Sequence, residues 1–540
     1  MSDDIRIDGA DSASRSCAAN PPWRKQILGR VATDHTIQLP DSETALRRWV
    51  HQSARLSIAE HAVCPGHQSP WRMFADVLLR RPSLALVLGA RGAGKSFLSA
   101  LDTHLTSLCN PGHSTRILGG SQAQSLQIYE ALVQFVRDTR FQADELADAQ
   151  GVVERLLKHE TRYRNGSQVS ILAASPTSVR GPHVPTLKLD EVDEIAPDLR
   201  EAAMGMCMER NGQSASVLMT STWHRLGGPM AGLIDQARDG AFPLYTFCTF
   251  EVLERCTDTR SGANLERCPE CPLVPYCHDT VGTGVPRAKR SEGHYSIDAL
   301  IQKLRSTSLR TFEADYLCRG PRADGQWFPG FDPNRHVSES AEYDPSLPVH
   351  VAIDSGVFTG AVWFQVRPGQ GTDPDTVRVF ADLLVEGQPA EAVAREVKDT
   401  SERLCESRLD VISTDPAGGA RNPVGPSVIA EYERAGLRPI RHWPRGSIAD
   451  GLALVESFVT PADGQARLTV HPRCRSLINA FTAYRRARRS GQWLDYPEDP
   501  QHPHEDLLDA LRGGLRTTYP EGRSRHASSS LARVAGRRIF

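Results

Sequence analysis

The stretch Leu84-Ala85-Leu86-Val87-Leu88-Gly89-Ala90-Arg91-Gly92-Ala93-Gly94-Lys95-Ser96 decides the fold. An apolar run of strand length enters a loop that matches GxxxxGK[ST] from Gly89 to Ser96, and helical periodicity begins near Phe97. Strand, glycine-rich loop and helix, in that order, is what a phosphate-binding loop requires. The glycines let backbone N–H groups close around phosphate, Lys95 has the length to reach the β and γ oxygens, and the Ser96 hydroxyl suits Mg²⁺. Gly89, Gly92, Gly94, Lys95 and Ser96 are therefore expected to bind ATP.

Working outward, Thr186-Leu187-Lys188-Leu189-Asp190-Glu191 reads as a strand ending in two carboxylates. Asp190 is expected to hold Mg²⁺ through water and Glu191 to polarise the attacking water. Asp193 and Glu194 extend the acidic run as surface charge. Ser178-Val179-Arg180-Gly181 lies between the loop and the acids, and Val217-Leu218-Met219-Thr220-Ser221-Thr222 ends another strand in hydroxyl residues. Further strands at Thr115 to Leu118 and Gln168 to Ala173 alternate with helical periodicity, which predicts a mainly parallel sheet flanked by helices. Beyond residue 345 the pattern resumes. Strands are expected at Val349 to Ile353, Ala361 to Val366, Val377 to Leu384 and Val411 to Thr414, with helices at Ala390 to Leu404 and Glu505 to Leu515. The chain reads as two successive α/β units.

An arginine inside the phosphate loop, Ser-Val-Arg-Gly shortly before the acidic strand, Leu-Asp-Glu, and a Thr-Ser-Thr strand end together resemble the large terminase subunit of tailed bacteriophages. The resemblance covers about residues 60 to 520. It implies an ATPase that packages double-stranded viral DNA into a procapsid, followed by a ribonuclease H-like nuclease that cuts concatemeric DNA. It further implies Arg91 as a γ-phosphate sensor, Thr220 to Thr222 as a coupling motif, and adenine contact from the segment Gln68 to Phe74, with Gln68 foremost. The partners implied are a portal protein, a small terminase subunit and further copies of the chain in a ring.

Acids in the second half fit the implied nuclease. Asp354 closes the strand His350 to Ile353, Asp415 closes Val411 to Thr414, and Asp506 lies on the last helix. Hard Mg²⁺ or Mn²⁺ needs oxygen ligands, and clustered carboxylates would repel strongly without such ions. Asp509 shares a helical face with Asp506, so either could be the third ligand, with Glu505 a weaker choice. His504 and Asp382 are candidate auxiliaries.

Bulk properties bound the rest. At 540 residues the chain exceeds one ordinary core, and 40% hydrophobic with 24% charged residues is a globular composition. The net charge of −2 neither favours nor excludes nucleic acid, because local patches decide binding. No apolar run is long enough to span a bilayer and no signal-peptide pattern opens the chain, so the host cytoplasm is the expected compartment. The expected organisation is a polar, partly helical segment over 1–55 with a helix near Ala45 to Ala54. A P-loop ATPase domain over 56–250 follows, then a Cys-rich insert and linker over 251–340. A ribonuclease H-like domain over 341–520 and a flexible basic tail over 521–540 complete the chain. Cys256, Cys268, Cys271 and Cys277 suit structural Zn²⁺, with an iron-sulfur cluster or free thiols as alternatives. Arg485, Arg486, Arg488 and Arg489 suit either a phosphate-following patch or a solvated helix face. The rival readings are a helicase-nuclease of repair or restriction and a non-catalytic ATP-binding assembly protein.

Overall fold

The computed structural model describes residues 38–54, 56–137, 153–175, 178–180, 183–225, 228–257, 260, 265–278, 284–321, 325–370, 373–419, 426–489, 492–498 and 501–520. The start of the expected polar segment, Gly181 and the basic tail lie outside these residues. The chain divides into two units, one built from residues up to Ile297 with Ala314–Gly320, the other from Asp298–Glu313 and from Pro321 onward. The segment 251–340 is therefore shared between them. No helix among the described residues is long and apolar enough to cross a membrane.

In the first unit, helices α1 (Glu43–Ala54) and α2 (Pro70–Arg80) precede β1 (Leu84–Gly89), α3 (Lys95–Cys109), β2 (Ser114–Gly119) and α4 (Gln122–Arg137). Then come β3 (Val153–Leu156), β4 (Glu160–Tyr163), β5 (Gln168–Ile171), β6 (Thr186–Asp190), β7 (Ser216–Ser221) and β8 (Leu244–Phe247). Ser69 starts α2 by accepting the Arg72 N–H at 3.1 Å, and Pro70 fits the first helical position because it needs no N–H partner there. The strands form one sheet in the order β3-β4-β5-β2-β6-β7-β1-β8. From β5 to β8 every pairing is parallel, and β3 and β4 add an antiparallel edge. Central strands β1, β6 and β7 are buried almost throughout, so both faces are covered; β1 reads as a continuous apolar run, whereas β6 alternates, with Lys188 buried against Asp102. The register sets Gly89 opposite Phe247, Leu88 opposite Ser221 and Asp190 opposite Thr220. The carboxyl ends of four strands thus converge where a parallel sheet places its ligands.

The second unit holds β9 (His350–Asp354), β10 (Phe358–Arg367), β11 (Thr376–Glu386), α5 (Ala390–Cys405), β12 (Val411–Thr414) and β13 (Ile440–His442). These are followed by α6 (Ile448–Val459), β14 (Leu468–Val470), α7 (Arg475–Ala483), the hairpin β15 (Arg486–Arg489) and β16 (Gln492–Pro497), and α8 (His504–Thr518). The sheet order is β13-β12-β9-β10-β11-β14, antiparallel across β9-β10-β11 and parallel at β12-β9 and β12-β13. This mixed sheet is the ribonuclease H-like arrangement expected. Strand alternation separates two cores: Ala352, Val362 and Phe364 face one with α6, α7 and α8, while Val351, Ile353, Ala361 and Trp363 face the other with α5.

The arginine stretch differs from a solvated helix face. Arg486 to Arg489 form β15, and Arg486 is 2% exposed, with its guanidinium 4.0 Å from the Trp327 ring centre and 3.2 Å from the Asp495 carboxylate. A cation is tolerated in that interior because a π face and an anion replace its water.

Candidate active sites

The first site grows from the end of β1. Gly92 and Gly94 take φ of 76° and 86°, a backbone region that side chains disfavour, which is why this turn needs glycine. The loop is held from both sides: Ala90 N–H donates to Phe247 O at 3.0 Å and Arg91 N–H to Asp315 O at 2.6 Å. Lys95, 6% exposed, donates to Ala90 O at 3.3 Å and lies 3.7 Å from Glu191 Oε1. Ser96 Oγ donates to Asp190 Oδ2 at 2.8 Å. The phosphate loop and acidic strand found in the sequence are thus brought together.

The hydroxyl strand end joins them. Thr220 Oγ1 donates to Asp190, Ser221 Oγ donates to Glu191 Oε2 at 3.1 Å, and Thr222 N–H reaches the same oxygen at 3.3 Å. Burial, reinforced by the Glu191 charge, raises the Asp190 carboxyl above its ordinary range. Burial also opposes the Glu191 anion, but Lys95 and the Thr222 and Ser221 bonds outweigh it and hold this carboxyl low. Two adjacent acids with opposite shifts suit one cation ligand and one ready base. A cleft of about 620 Å³ opens over the loop, lined by Arg91, Lys95, Ser96, Gln124, Glu191, Thr222 and His224 among others. Its size suits a nucleotide.

Other expected residues fall differently. Gln68 is not among the residues lining this cleft; its Oε1 accepts from Thr246 N–H at 2.7 Å. The Arg91 side chain, 65% exposed, lines the cleft with Nε 3.4 Å from Asp315 Oδ2. Asp193 is not surface charge: it is fully buried and accepts from Arg225 N–H and Met230 N–H, both at 3.0 Å. His224 had no signal in the sequence. It bridges Thr222 Oγ1 at 3.0 Å and Glu194 Oε1 at 2.7 Å, so it continues the hydrogen-bond path away from Glu191.

In the second site, β9 carries Asp354 opposite Gly360 of β10, and the absence of a side chain at Gly360 lets α8 approach. A Cβ there would stand 2.6 Å from the Asp506 carbonyl oxygen. Burial, then the charges of Asp509, Asp506 and Asp415, push the Asp354 carboxyl up to about 8, with Arg512 opposing. All four expected aspartates therefore act on one locus. Asp506 Oδ2 accepts from His502 Nδ1 at 2.9 Å, Asp509 pairs with Arg512 at 2.8 Å, and Asp415 Oδ1 accepts from Ala417 N–H at 2.6 Å. The auxiliary histidine at this carboxylate is His502, two residues before the expected His504. Asp382 is drawn away: its carboxylate accepts the Leu477 N–H at 2.8 Å in the first turn of α7.

None of the expected zinc residues Cys256, Cys268, Cys271 and Cys277 is joined in a disulfide. Burial first, then the neighbouring thiolates, raises both Cys256 and Cys277, so the four lie within electrostatic reach of one another. Among the described residues, the group with ligand atoms all within 4.8 Å of one another is a different one, Cys64, His67, Cys248 and Glu251. Its spacings, Cys-x2-His and Cys-x2-Glu, are each too short to signal a site alone.

No protein-family profile matches this chain, and no curated protein matches it in sequence. Among solved structures, the large terminase from a thermophilic bacteriophage superposes with a TM-score of 0.53 at 12% identity, covering 83% of this chain and 98% of that one. The same terminase in complex with ADP gives 0.52 at 12% identity over 83% and 98% of the two chains. In complex with ATP-gamma-S it gives 0.51 at 12% identity over 82% and 98%. The chain resembles the large terminase subunit of tailed bacteriophages in fold, a mainly parallel P-loop sheet followed by a ribonuclease H-like sheet.

Proposed function

We propose that this chain is a viral DNA packaging motor: it hydrolyses ATP to translocate double-stranded DNA into a procapsid and cuts concatemeric DNA with a metal-dependent endonuclease. The observation that carries the reading is the presence, in one chain, of a complete phosphate-loop constellation and a separate four-aspartate cluster on a ribonuclease H-like sheet. A portal protein, a small terminase subunit and a ring of copies are the partners of such a motor, and the host cytoplasm is its compartment.

At the ATPase site, Ser96 and Asp190 would hold Mg²⁺, whose chemistry is neutralisation of phosphate charge. The residues fit, because a fully buried carboxylate beside a second carboxylate needs a compensating cation. Lys95 leaves Glu191 for the phosphates when nucleotide enters, which frees Glu191 Oε1 to accept a proton from the attacking water. Thr220, Ser221 and Thr222 hold both carboxylates, so a change of charge at the phosphate is transmitted to the end of β7 and on to His224. Arg91 serves as the γ-phosphate sensor; an adenine contact from Gln68 would fall to its amide NH₂, because its Oε1 accepts the Thr246 N–H.

At the nuclease site, Asp354, Asp415 and Asp506, with Asp509, would hold Mg²⁺ or Mn²⁺, whose chemistry is water activation and stabilisation of the leaving oxygen. His502 fixes the Asp506 carboxylate and Arg512 that of Asp509. On this reading Cys256, Cys268, Cys271 and Cys277 would hold a structural Zn²⁺ ordering the segment after β8.

Translocation is tested by displacement of a third-strand oligonucleotide from a DNA triplex. The chain is expected to displace it with ATP and to fail as Lys95→Ala. Separation of the duplex strands themselves would instead favour the helicase-nuclease reading.

A further inference from the structure

Cys64-x2-His67 leads into α2, and Cys248-x2-Glu251 follows β8; the fold of the first unit sets them side by side. Two bonds fix the register, Gln68 N–H to Thr246 O at 2.8 Å and Thr246 N–H to Gln68 Oε1 at 2.7 Å. One ligand atom from each of Cys64, His67, Cys248 and Glu251 lies within 4.8 Å of all the others.

The distances inside the group discriminate between chemistries. The two sulfurs are 3.6 Å apart. That is far beyond the about 2.05 Å of a disulfide bond. It is close to the roughly 3.8 Å edge spanned by two thiolates in a tetrahedron with metal–sulfur bonds of about 2.3 Å. His67 Nδ1 and Glu251 Oε2 are hydrogen-bonded to each other at 2.9 Å, a contact that an ion entering between them would replace. Glu251 is oriented before any ion arrives: Oε1 accepts from Cys64 N–H at 2.8 Å and Val63 N–H at 3.3 Å, and Oε2 accepts from Cys248 N–H at 2.7 Å. Such support from backbone donors is what aims a ligating carboxylate. Cys248 and Glu251 are each 1% exposed and Cys64 8%, so the donors sit where a charge needs a partner. Two sulfurs, one nitrogen and one carboxylate oxygen favour a borderline-soft divalent ion and disfavour Mg²⁺ or Ca²⁺.

We propose that Cys64, His67, Cys248 and Glu251 form a zinc-class metal site, separate from the Cys256 to Cys277 cluster, that staples the chain entering α2 to the end of β8. Binding releases to solvent the protons held on the two thiols and on His67, which then coordinates as neutral imidazole through Nδ1. Two thiolates, one carboxylate and a dication leave a net charge of −1. The staple supports the phosphate loop, because Phe247, next to Cys248, accepts both the Ala90 N–H at 3.0 Å and the Cys318 thiol at 3.3 Å.

The test uses the full chain purified without chelator, in three forms: parent, Cys64→Ser/Cys248→Ser, and Cys268→Ser/Cys271→Ser. Mass spectrometry for metals is expected to find one equivalent of zinc fewer per chain in the Cys64/Cys248 variant than in the parent. The Cys268/Cys271 variant is expected to keep that equivalent. Reconstituted with Co²⁺, the Cys268/Cys271 variant should show thiolate-to-cobalt absorption and, by X-ray absorption, two sulfur and two lighter ligands. This second readout does not depend on folding of the Cys64/Cys248 variant. A folded Cys64/Cys248 variant with unchanged metal content overturns the proposal. So does a Cys268/Cys271 variant that shows no thiolate-to-cobalt absorption, or a Cys64–Cys248 disulfide in metal-free parent protein.

Discussion

Glu191 holds a backbone conformation that residues with side chains rarely adopt, with φ at 50°, and three donors from Ser221 and Thr222 fix its carboxylate. A residue kept there by its surroundings marks a position where direction matters more than local comfort. Asp354 shows a different stress, a carboxyl pushed up to about 8 by burial and by Asp509, Asp506 and Asp415. An aspartate in an unfolded chain titrates near 3.9. The folded metal-free protein therefore keeps a proton that the unfolded chain gives up, and stability falls as pH rises from about 4 to about 8. Asp354→Asn removes that penalty. Metal-free Asp354→Asn should melt at a higher temperature than the parent at pH 8, with the gap closing near pH 4, by calorimetry in chelator. An equal melting temperature at pH 8 would mean that the carboxylates do not crowd one another. At this scale the phosphate loop and acidic strand were legible because each is contiguous in sequence. The thiol group was not, because its halves lie far apart in sequence and meet only in the folded unit, through the Gln68 to Thr246 pairing and the Cys64 to Glu251 bond, and the environment of Arg486 depends on Trp327, far off in sequence.

Among the elements, α8 lies against β9 and β10 with almost no gap. A Cβ at Gly514 would meet the Ala352 Cβ at 2.7 Å, and one at Gly360 would meet backbone, the Asp506 carbonyl, at 2.6 Å. Backbone cannot rotate aside as a side chain does, so Gly360→Ala must lift α8 or bend β10. Cleavage of plasmid by Gly360→Ala should fall at least about tenfold, the scale on which displaced catalytic groups lose rate, while ATP hydrolysis holds. Cleavage at the parent rate would mean that the fit of α8 does not position Asp506. The strand and helix pattern predicted α8 and the expected strands of both sheets. It did not predict β3 and β4, whose four-residue edge segments mix charge with apolar positions, and it left Asp506 and Asp509 undistinguished because three residues apart they share a helical face; the charges of both raise Asp354.

Across the whole molecule, two chemically distinct centres occupy two units of one chain, and both rest on well-buried polar frameworks. His104 belongs to that framework in the first unit. Burial depresses its imidazole to about 3, and its Nδ1 lies 3.0 Å from the Tyr163 hydroxyl. The unfolded chain takes up a proton near pH 6.5 that the folded chain refuses, so stability present above that pH is lost as pH falls toward 3. His104→Phe should flatten the pH dependence of unfolding free energy between pH 6 and 4 by about one proton, or about 1.4 kcal/mol per pH unit, in denaturant titrations. An unchanged slope would mean that His104 is protonated in the folded chain.

The proposed pairing is of ATP hydrolysis at the Gly89 to Ser96 loop with DNA cutting at an independent aspartate centre of the same chain. It is tested most directly by measuring ATP hydrolysis and Mn²⁺-dependent plasmid cleavage side by side on the parent, Glu191→Gln and Asp354→Asn. Glu191→Gln should lose hydrolysis by about 10² to 10⁴, the usual contribution of a positioned base, and keep cleavage. Asp354→Asn should do the reverse. Loss of hydrolysis with unchanged cleavage in Asp354→Asn would contradict the account.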